Sequence, residues 1–393
     1  MPKWLFVLLF AAFVLYTDDY VIAGVLVEIA RDLNTTEAAA GQLVTVFSVT
    51  VAIVAPVAAV VLARVSRRRL FTLALGVFVT ANIAASVAPS LPVLMVLRVV
   101  AAGAAAATAP ALFAHAAERA PDDRTGRYVA VVALGVTGSI AVGVPLGTWI
   151  GGHLGWRATF ATMALAGIAA LLLLLVSLPT DTGTSAEIPP RVADQLKIMA
   201  AAPISLGLLA NTALMTGSMM MLTYLASYLD AVTGASVDQR ALVFSLAGFA
   251  GTLGIWTGGI ATDRWGPDRT LTLGIATFVG TMIGLWACAT NAPTPFVVVL
   301  VIGTVWGAAS FWNSPALQAR LYLLAGPLAS QALALNTSGT YLGVALGGAL
   351  GGLTLTQSGH TALPVIAGTL GVLALLLLRT AIRASPGQAP VKQ

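Results

Sequence analysis

Long apolar runs broken by short polar stretches dominate this chain, and the length of the runs decides which element they form. A run of about 18 or more mainly apolar residues is long enough to cross a bilayer as a helix. Twelve such runs are read, near residues 4–27, 39–63, 70–90, 92–115, 128–151, 157–178, 202–228, 240–261, 271–291, 294–316, 331–355 and 361–379. The first starts beside Lys3 but continues into Thr17-Asp18-Asp19 without a small-residue cleavage site, so it reads as a retained helix rather than a signal peptide. One long polar interruption, Leu178 to Ala201 with Pro179, Pro189 and Pro190, separates a bundle over 1–178 from a bundle and short tail over 202–393, leaving 179–201 as a linker.

The pattern also repeats. Gly143, Gly147, Gly151 and Gly152 recur as Gly343, Gly347, Gly351 and Gly352, and Arg64 and Arg69 recur as Arg264 and Arg269, each at an offset of 200. Val46-Phe47-Ser48 returns as Val243-Phe244-Ser245 at an offset of 197, as expected when a few loop residues differ between two copies of one unit. Duplication in an intensely apolar chain points to a membrane transporter with its site between the halves. The predicted fold class is therefore all-α, with twelve transmembrane helices in two pseudo-symmetric six-helix bundles.

Composition agrees, because 58% hydrophobic and 9% charged residues with a mean hydropathy of +0.92 leave too little polar surface for a water-soluble globule. Charge then orients the spans. With both termini in the cytoplasm, sixteen of the twenty Lys and Arg fall on that side, as the positive-inside rule requires. The pI near 9.7 thus reports topology and implies no nucleic-acid partner. Cys288 stands alone, which excludes a disulfide framework and a cysteine metal site. No phosphate-binding Gly-Lys-Ser/Thr loop is present, so energy is expected from an ion gradient, with no cofactor and no enzymatic apparatus.

An acid within a span costs about 2.5–3.5 kcal/mol on insertion scales and is functional by default. Two neighbours, Asp18 and Asp19, stand there. Successive helical residues point about 100° apart, so both cannot face one cavity. Asp19 shares its face with Ala12, Tyr16 and Ala23 and is the favoured proton carrier; Asp18 lies along Val14, Val21 and Val25 and is the second candidate, nearer an outer vestibule. Arg98 lies roughly 9 Å inside its span and Asp19 roughly 12 Å inside its own, so the two are expected to pair. Glycines four apart at Gly143, Gly147 and Gly151 share a face that lets a neighbouring helix approach closely, and Pro145 adds a missing donor and a bend.

These residues carry a resemblance. Twelve spans, a central linker and basic loops at Arg64 to Arg69 and Arg264 to Arg269 resemble the major facilitator superfamily. Its loop signature appears as Gly259-Ile260-Ala261-Thr262-Asp263-Arg264-Trp265-Gly266-Pro267-Asp268-Arg269, whereas the first copy reads Ala63-Arg64-Val65-Ser66-Arg67-Arg68-Arg69 and lacks the acid. Thr17-Asp18-Asp19-Tyr20 with Gly24-Val25-Leu26, and Thr223-Tyr224-Leu225 with Val232-Thr233-Gly234, are similar to the bacterial drug and sugar efflux branch of arabinose-efflux-like and chloramphenicol-efflux-like permeases. Gly143-Val144-Pro145-Leu146-Gly147 resembles the motif associated with export by antiport, and Arg98 begins a stretch similar to the family's arginine motif.

The resemblance implies that spans 1, 4, 7 and 10 line a central cavity. Candidates for its wall are Tyr16, Tyr20, Asn211, Met215, Met219, Tyr224, Trp312 and Asn336, with Trp306 and Tyr341 as further polar residues in spans. His115, His153 and His360 lie near span ends and are expected to be solvated. A wall poor in amides and carboxylates suits an apolar small molecule better than a sugar, whose hydroxyls need many partners. The expected function is proton-coupled efflux of a small lipophilic compound across the bacterial cytoplasmic membrane by a monomer surrounded by lipid. Export or uptake of a polar metabolite such as a sugar is the alternative, and a non-transporting receptor, which needs no midplane charge, is the third.

Overall fold

The computed structural model describes residues 2–62, 65–121, 124–177 and 198–385. The linker expected over 179–201 falls mostly outside the described residues, as do Ala63 and Arg64 of the first basic loop. The first half comprises α1 (Lys3–Tyr20), α2 (Ile22–Asp32), α3 (Glu37–Val61), α4 (Arg67–Ala85), α5 (Leu91–Glu118), α6 (Thr125–Gly138), a π-helical turn (Ser139–Gly143), α7 (Val144–Leu154) and α8 (Trp156–Ser177). The second comprises α9 (Ala202–Thr223), α10 (Leu225–Thr233), α11 (Val237–Trp265), α12 (Pro267–Thr290), α13 (Phe296–Ala325), α14 (Ala329–Ser358) and α15 (Ala362–Ala384).

By length and composition ten helices among the described residues qualify as membrane spans, and the pair α1 and α2, bent by 44°, makes eleven. The expected span over 331–355 is α14, which is 30 residues long but is diluted by Gly, Ser, Thr and Asn. With α1–α2, α6–α7 and α9–α10 each counted as one rod, the described residues form twelve rods, six in each half. The first expected span was too short: it continues to Asp32 and breaks at Val21. The seventh likewise continues past a break at Tyr224 to Thr233.

Missing side chains set the packing inside each half. A β-carbon at Gly143 would lie 2.1 Å from Thr17 Oγ1, one at Gly147 2.2 Å from Val21, and one at Gly151 2.3 Å from Val25, so the π-turn and α7 lie directly on α1 and α2. The second half repeats this, with Gly343, Gly347 and Gly351 of α14 against Met215, Thr216 and Tyr224. Small residues spaced four apart permit that approach where lipid supplies no hydrophobic drive between helices. The duplication seen as a glycine spacing is therefore a duplicated helix contact.

The halves meet at the end opposite the chain termini. There Arg240 Nη2 donates to Glu28 Oε1 at 2.8 Å, Arg31 pairs with Asp230 at 3.2 Å, and His360 and Ser227 of the second half both meet Glu37 of the first. Gly348 comes within 2.6 Å of Thr45 when a β-carbon is added, which seals α14 against α3. Two basic residues near helix ends are buried. Arg240 is 4% exposed within α11, and Arg320, 3% exposed within α13, donates to Asp268, to the Pro203 carbonyl and to Ser385, tying together the terminal ends of four helices. His115 is also buried, edge-on to Trp4 and Phe71, contrary to the expectation of solvation.

Candidate functional site

The break after Tyr20 divides the first span, and the acid pair occupies the last turn before it. Adjacent residues on that turn diverge by about 100°, and they meet different partners. Asp18, fully buried, accepts Arg98 Nη1 at 2.7 Å, while Arg98 Nη2 donates to the Asp18 carbonyl at 2.8 Å. The guanidinium also lies 4.2 Å from the centre of the Phe47 ring, an arrangement that favours a cation over an aromatic face. This corrects the expected pairing of Asp19 with Arg98. Depth along two helices was judged rightly, but rotation selects Asp18, which lies inside the first bundle and not in an outer vestibule.

Asp19 turns instead toward the seam between the halves. Tyr341 of α14 donates its hydroxyl to Asp19 Oδ2 at 3.3 Å, a bond joining residues 322 positions apart. Tyr16 and Asp19 of α1 line a small cavity, bounded by Phe47 and Val51 of α3, the alanine-rich middle of α5, and Thr337 and Tyr341 of α14. Asp19 is the one carboxylate among these lining residues. Arg98 is held by Asp18, so the charge on Asp19 is not neutralised by a direct ion pair.

A second, smaller cavity lies on the other side of the same turn against Tyr20, bounded by Ser218, Met219, Phe244, Trp306, Ser310 and Phe311 of the second half and by Ile140 and Val144 of the first. It is placed by close backbone contact: a β-carbon at Gly248 of α11 would fall 2.6 Å from the Ala141 α-carbon in the π-turn. The π-turn directly precedes α7, whose second residue, Pro145, lacks a backbone donor.

The remaining wall candidates lie elsewhere. Tyr224 is fully buried and donates to the Gly348 carbonyl, filling space left by Gly41 and Gly351. Asn211 donates to Asn336 and Thr340, joining α9 to α14. Met215 packs on Gly343, and the Trp312 indole donates to the Thr270 carbonyl. These four and Asn336 line neither cavity described above, because their helices turn those positions toward neighbouring helices. In the loop signature Asp263 and Arg264 are exposed and nothing lies within 4 Å of a β-carbon at Gly259; Asp268 is the acid that takes an arginine, Arg320.

Sequence reasoning missed the Glu28–Arg240 pair and Gly248. A lone acid inside Val25-Leu26-Val27-Glu28-Ile29-Ala30 was the available signal for the first. No local signal marks Gly248, since its role depends on a helix from the other half.

The chain resembles known proteins along its whole length. The profile of the Major Facilitator Superfamily matches residues 8–327 and, again, 204–393. An MFS-type transporter of Bacillus subtilis, YbcL, is 31% identical over 386 residues, covering 98% of this chain and 97% of the relative. A chloramphenicol resistance protein of Streptomyces lividans is 30% identical over 364 residues, covering 92% and 90%. Among solved structures, a bacterial homologue of the human lysosomal transporter Spinster in its inward-facing, unoccupied conformation superposes with a TM-score of 0.76 at 16% identity, covering 98% of both chains. An all-α, multi-pass membrane chain with this duplicated bundle and this family match over nearly every residue belongs to the Major Facilitator Superfamily.

Proposed function

We propose that the protein exports a small lipophilic compound across the bacterial cytoplasmic membrane in exchange for protons, by alternating access between its halves. The observation that carries this reading is the separation of the two acids. Asp18 is committed to Arg98, whereas Asp19 faces the cavity at the seam and is bound to Tyr341 of the opposite half. A carboxylate in that position has two uses for one charge: it accepts the Tyr341 hydroxyl when ionised, and it gives up that charge-assisted bond when protonated. Binding a proton from outside and releasing it inside would thus change the contact between the halves once per cycle.

Direction and cargo rest on two further supports. With the termini cytoplasmic, the end sealed by Glu28, Arg240 and Glu37 is the outer one, and the cargo enters from the cytoplasm or the inner leaflet. Apolar side chains dominate both cavities, which suits an apolar molecule. The relative named for chloramphenicol resistance agrees with export of such a compound. In this reading the proton gradient supplies the energy without a bound cofactor, and one copy of the chain in its lipid surroundings suffices.

An efflux screen of cells with and without the protein, across antibiotics and sugars, identifies the cargo. Inside-out vesicles then test the mechanism: an acidic interior should drive accumulation of that compound, and a protonophore should abolish it. Accumulation that ignored the pH gradient and followed sodium would overturn proton exchange, and selective uptake of a sugar by intact cells would replace the lipophilic cargo.

A further inference from the structure

Two acids and two histidines at the closed far end repeat with the duplication and cross the seam in opposite senses. Thr36 and Ser236, 200 positions apart, each cap a helix, their side-chain oxygens accepting the amides of Ala39 and Gln239. An acid follows each cap in the first turn, Glu37 of α3 and Asp238 of α11. At the other corner of each half a helix ends at a glycine with positive φ, Gly155 at 86° after α7 and Gly359 at 73° after α14. A histidine lies within two residues of each, His153 and His360. The pairing is exchanged between halves: His360 of the second lies 3.6 Å from Glu37 of the first, and His153 of the first lies 3.7 Å from Asp238 of the second. Glycines 200 positions apart hold both contacts close, since a β-carbon at Gly152 would fall 2.2 Å from Val237 and one at Gly352 3.1 Å from the Ala38 carbonyl.

Each histidine is surrounded by acceptors. His153 Nδ1 lies 3.0 Å from the Trp149 carbonyl, its Nε2 faces Asp238, and its ring lies 4.8 Å from the Trp149 ring, centre to centre. A neutral imidazole has one N–H for these two acceptors, whereas the imidazolium has both and is further favoured by the aromatic face. His360 Nε2 lies 2.7 Å from Ser227 Oγ, and Ser227 donates to Glu37, so a proton on that nitrogen completes a chain of donors ending on the carboxylate. Other charges at this end are already matched. Arg31, which also acts on Glu37, pairs with Asp230, Arg240 with Glu28, and Arg157 with Asp32. The histidine side chains are 40% and 31% exposed, so protons from the adjoining solution reach them.

We propose that these two histidine–carboxylate pairs form a pH-sensitive latch: protonation of His153 and His360 holds the far end shut, and their deprotonation eases its opening. Histidine changes charge between about pH 5 and 8 in ordinary surroundings. When the halves part, each histidine loses a carboxylate from the opposite half, so the closed state binds these protons more tightly than the open one. By linkage, acid then shifts the balance toward closure. The latch takes from the export reading only the alternation of the halves and the orientation that makes this end the outer one. It needs neither a particular cargo nor proton exchange at Asp19. Screened pairs are individually weak, so the two together are expected to change the closed-to-open ratio about fivefold.

The test follows a cysteine at Ala226, fully buried beneath the far end, in a Cys288→Ser background with the full chain in lipid nanodiscs. Its rate of labelling by a thiol reagent is divided by the rate at a cysteine placed at exposed Gln357, which cancels the reagent's own pH dependence. From about pH 7.5 to about pH 5.5 this ratio should fall about fivefold. His153→Gln combined with His360→Gln should flatten the response, whereas Asp19→Asn should keep it. Glu37→Gln combined with Asp238→Asn should flatten it from the acid side, and this variant decides if the histidine variant does not fold. A flat wild-type profile, a response that survives the loss of both histidines, or one that disappears in Asp19→Asn would each overturn the latch. A chain that shows the response but no proton-driven accumulation in vesicles would retain the latch and lose the export mechanism.

Discussion

Asp18 and Asp19 show how one residue step along a helix separates an ion-paired carboxylate from one without an ion pair. Asp18 is enclosed with Arg98, 0% and 1% exposed, and neither charge has water to fall back on. Removing one partner of such a pair leaves an uncompensated buried charge and destabilises by about 3–5 kcal/mol. Asp18→Asn is therefore expected to lower the melting temperature of the purified protein clearly, and Arg98→Gln to do the same. Asp19→Asn should leave melting near the wild-type value, because its Tyr341 bond is long and the amide oxygen can still accept it, yet uphill efflux should be lost. Equal melting of the two Asp variants, or uphill transport at the wild-type rate by Asp19→Asn, would undo this division of roles.

At the scale of the helix the decisive feature is the side chain that is absent. Gly248 lets α11 touch the backbone of the π-turn at Ala141, across the boundary between the halves. Backbone atoms cannot swing aside as a flexible side chain can, so Gly248→Val must push α11 away from the first half. Transport should fall by up to about a hundredfold, the loss that a misplacement of about 1 Å can cause, with far-end positions becoming more reactive to thiol reagents. Gly259 provides the control, since a β-carbon there meets nothing within 4 Å. Gly259→Ala is expected to fold normally and to gain helix stability of about 0.8–1 kcal/mol. A Gly248→Val protein as active as the Gly259→Ala protein would show that this contact does not set the packing of the halves.

For the whole molecule, the proposed alternation between states would turn on the polar contacts that close the far end in this structure. Glu28–Arg240 is the most buried of them, 16% and 4% exposed, and Arg240 Nε and Nη1 have no partner among the described residues. Opening the end would hydrate both charges, so the pair's worth is the difference between a buried bond and two solvated ions, and its loss biases the equilibrium toward the open end. Glu28→Gln should therefore raise several-fold the labelling rate of a cysteine at Ala226, which is fully buried beneath that end, in a Cys288→Ser background. An unchanged rate would assign closure to the glycine contacts alone. The exposed pair Arg31–Asp230 should matter little, since solvent screens it.

The sequence by itself determined what depends on local composition: which stretches are long and apolar enough to span, where the duplication begins again, and that an acid and an arginine lie at matching depths within the first half. Lipid as solvent makes these readings strong, since span length and the cost of a buried charge follow from residues close together in the chain. Tertiary structure alone decided partnership. Arg98 reaches Asp18 and not Asp19, Tyr341 reaches Asp19 from 322 positions away, and Tyr224 fills a glycine gap instead of a cavity wall. Each of these outcomes depends on the rotation of one helix relative to another, and on the break at Val21 and the π-turn before Val144. Hydrophobic periodicity marks which face of a helix is buried, but it carries no information about which helix that face will meet.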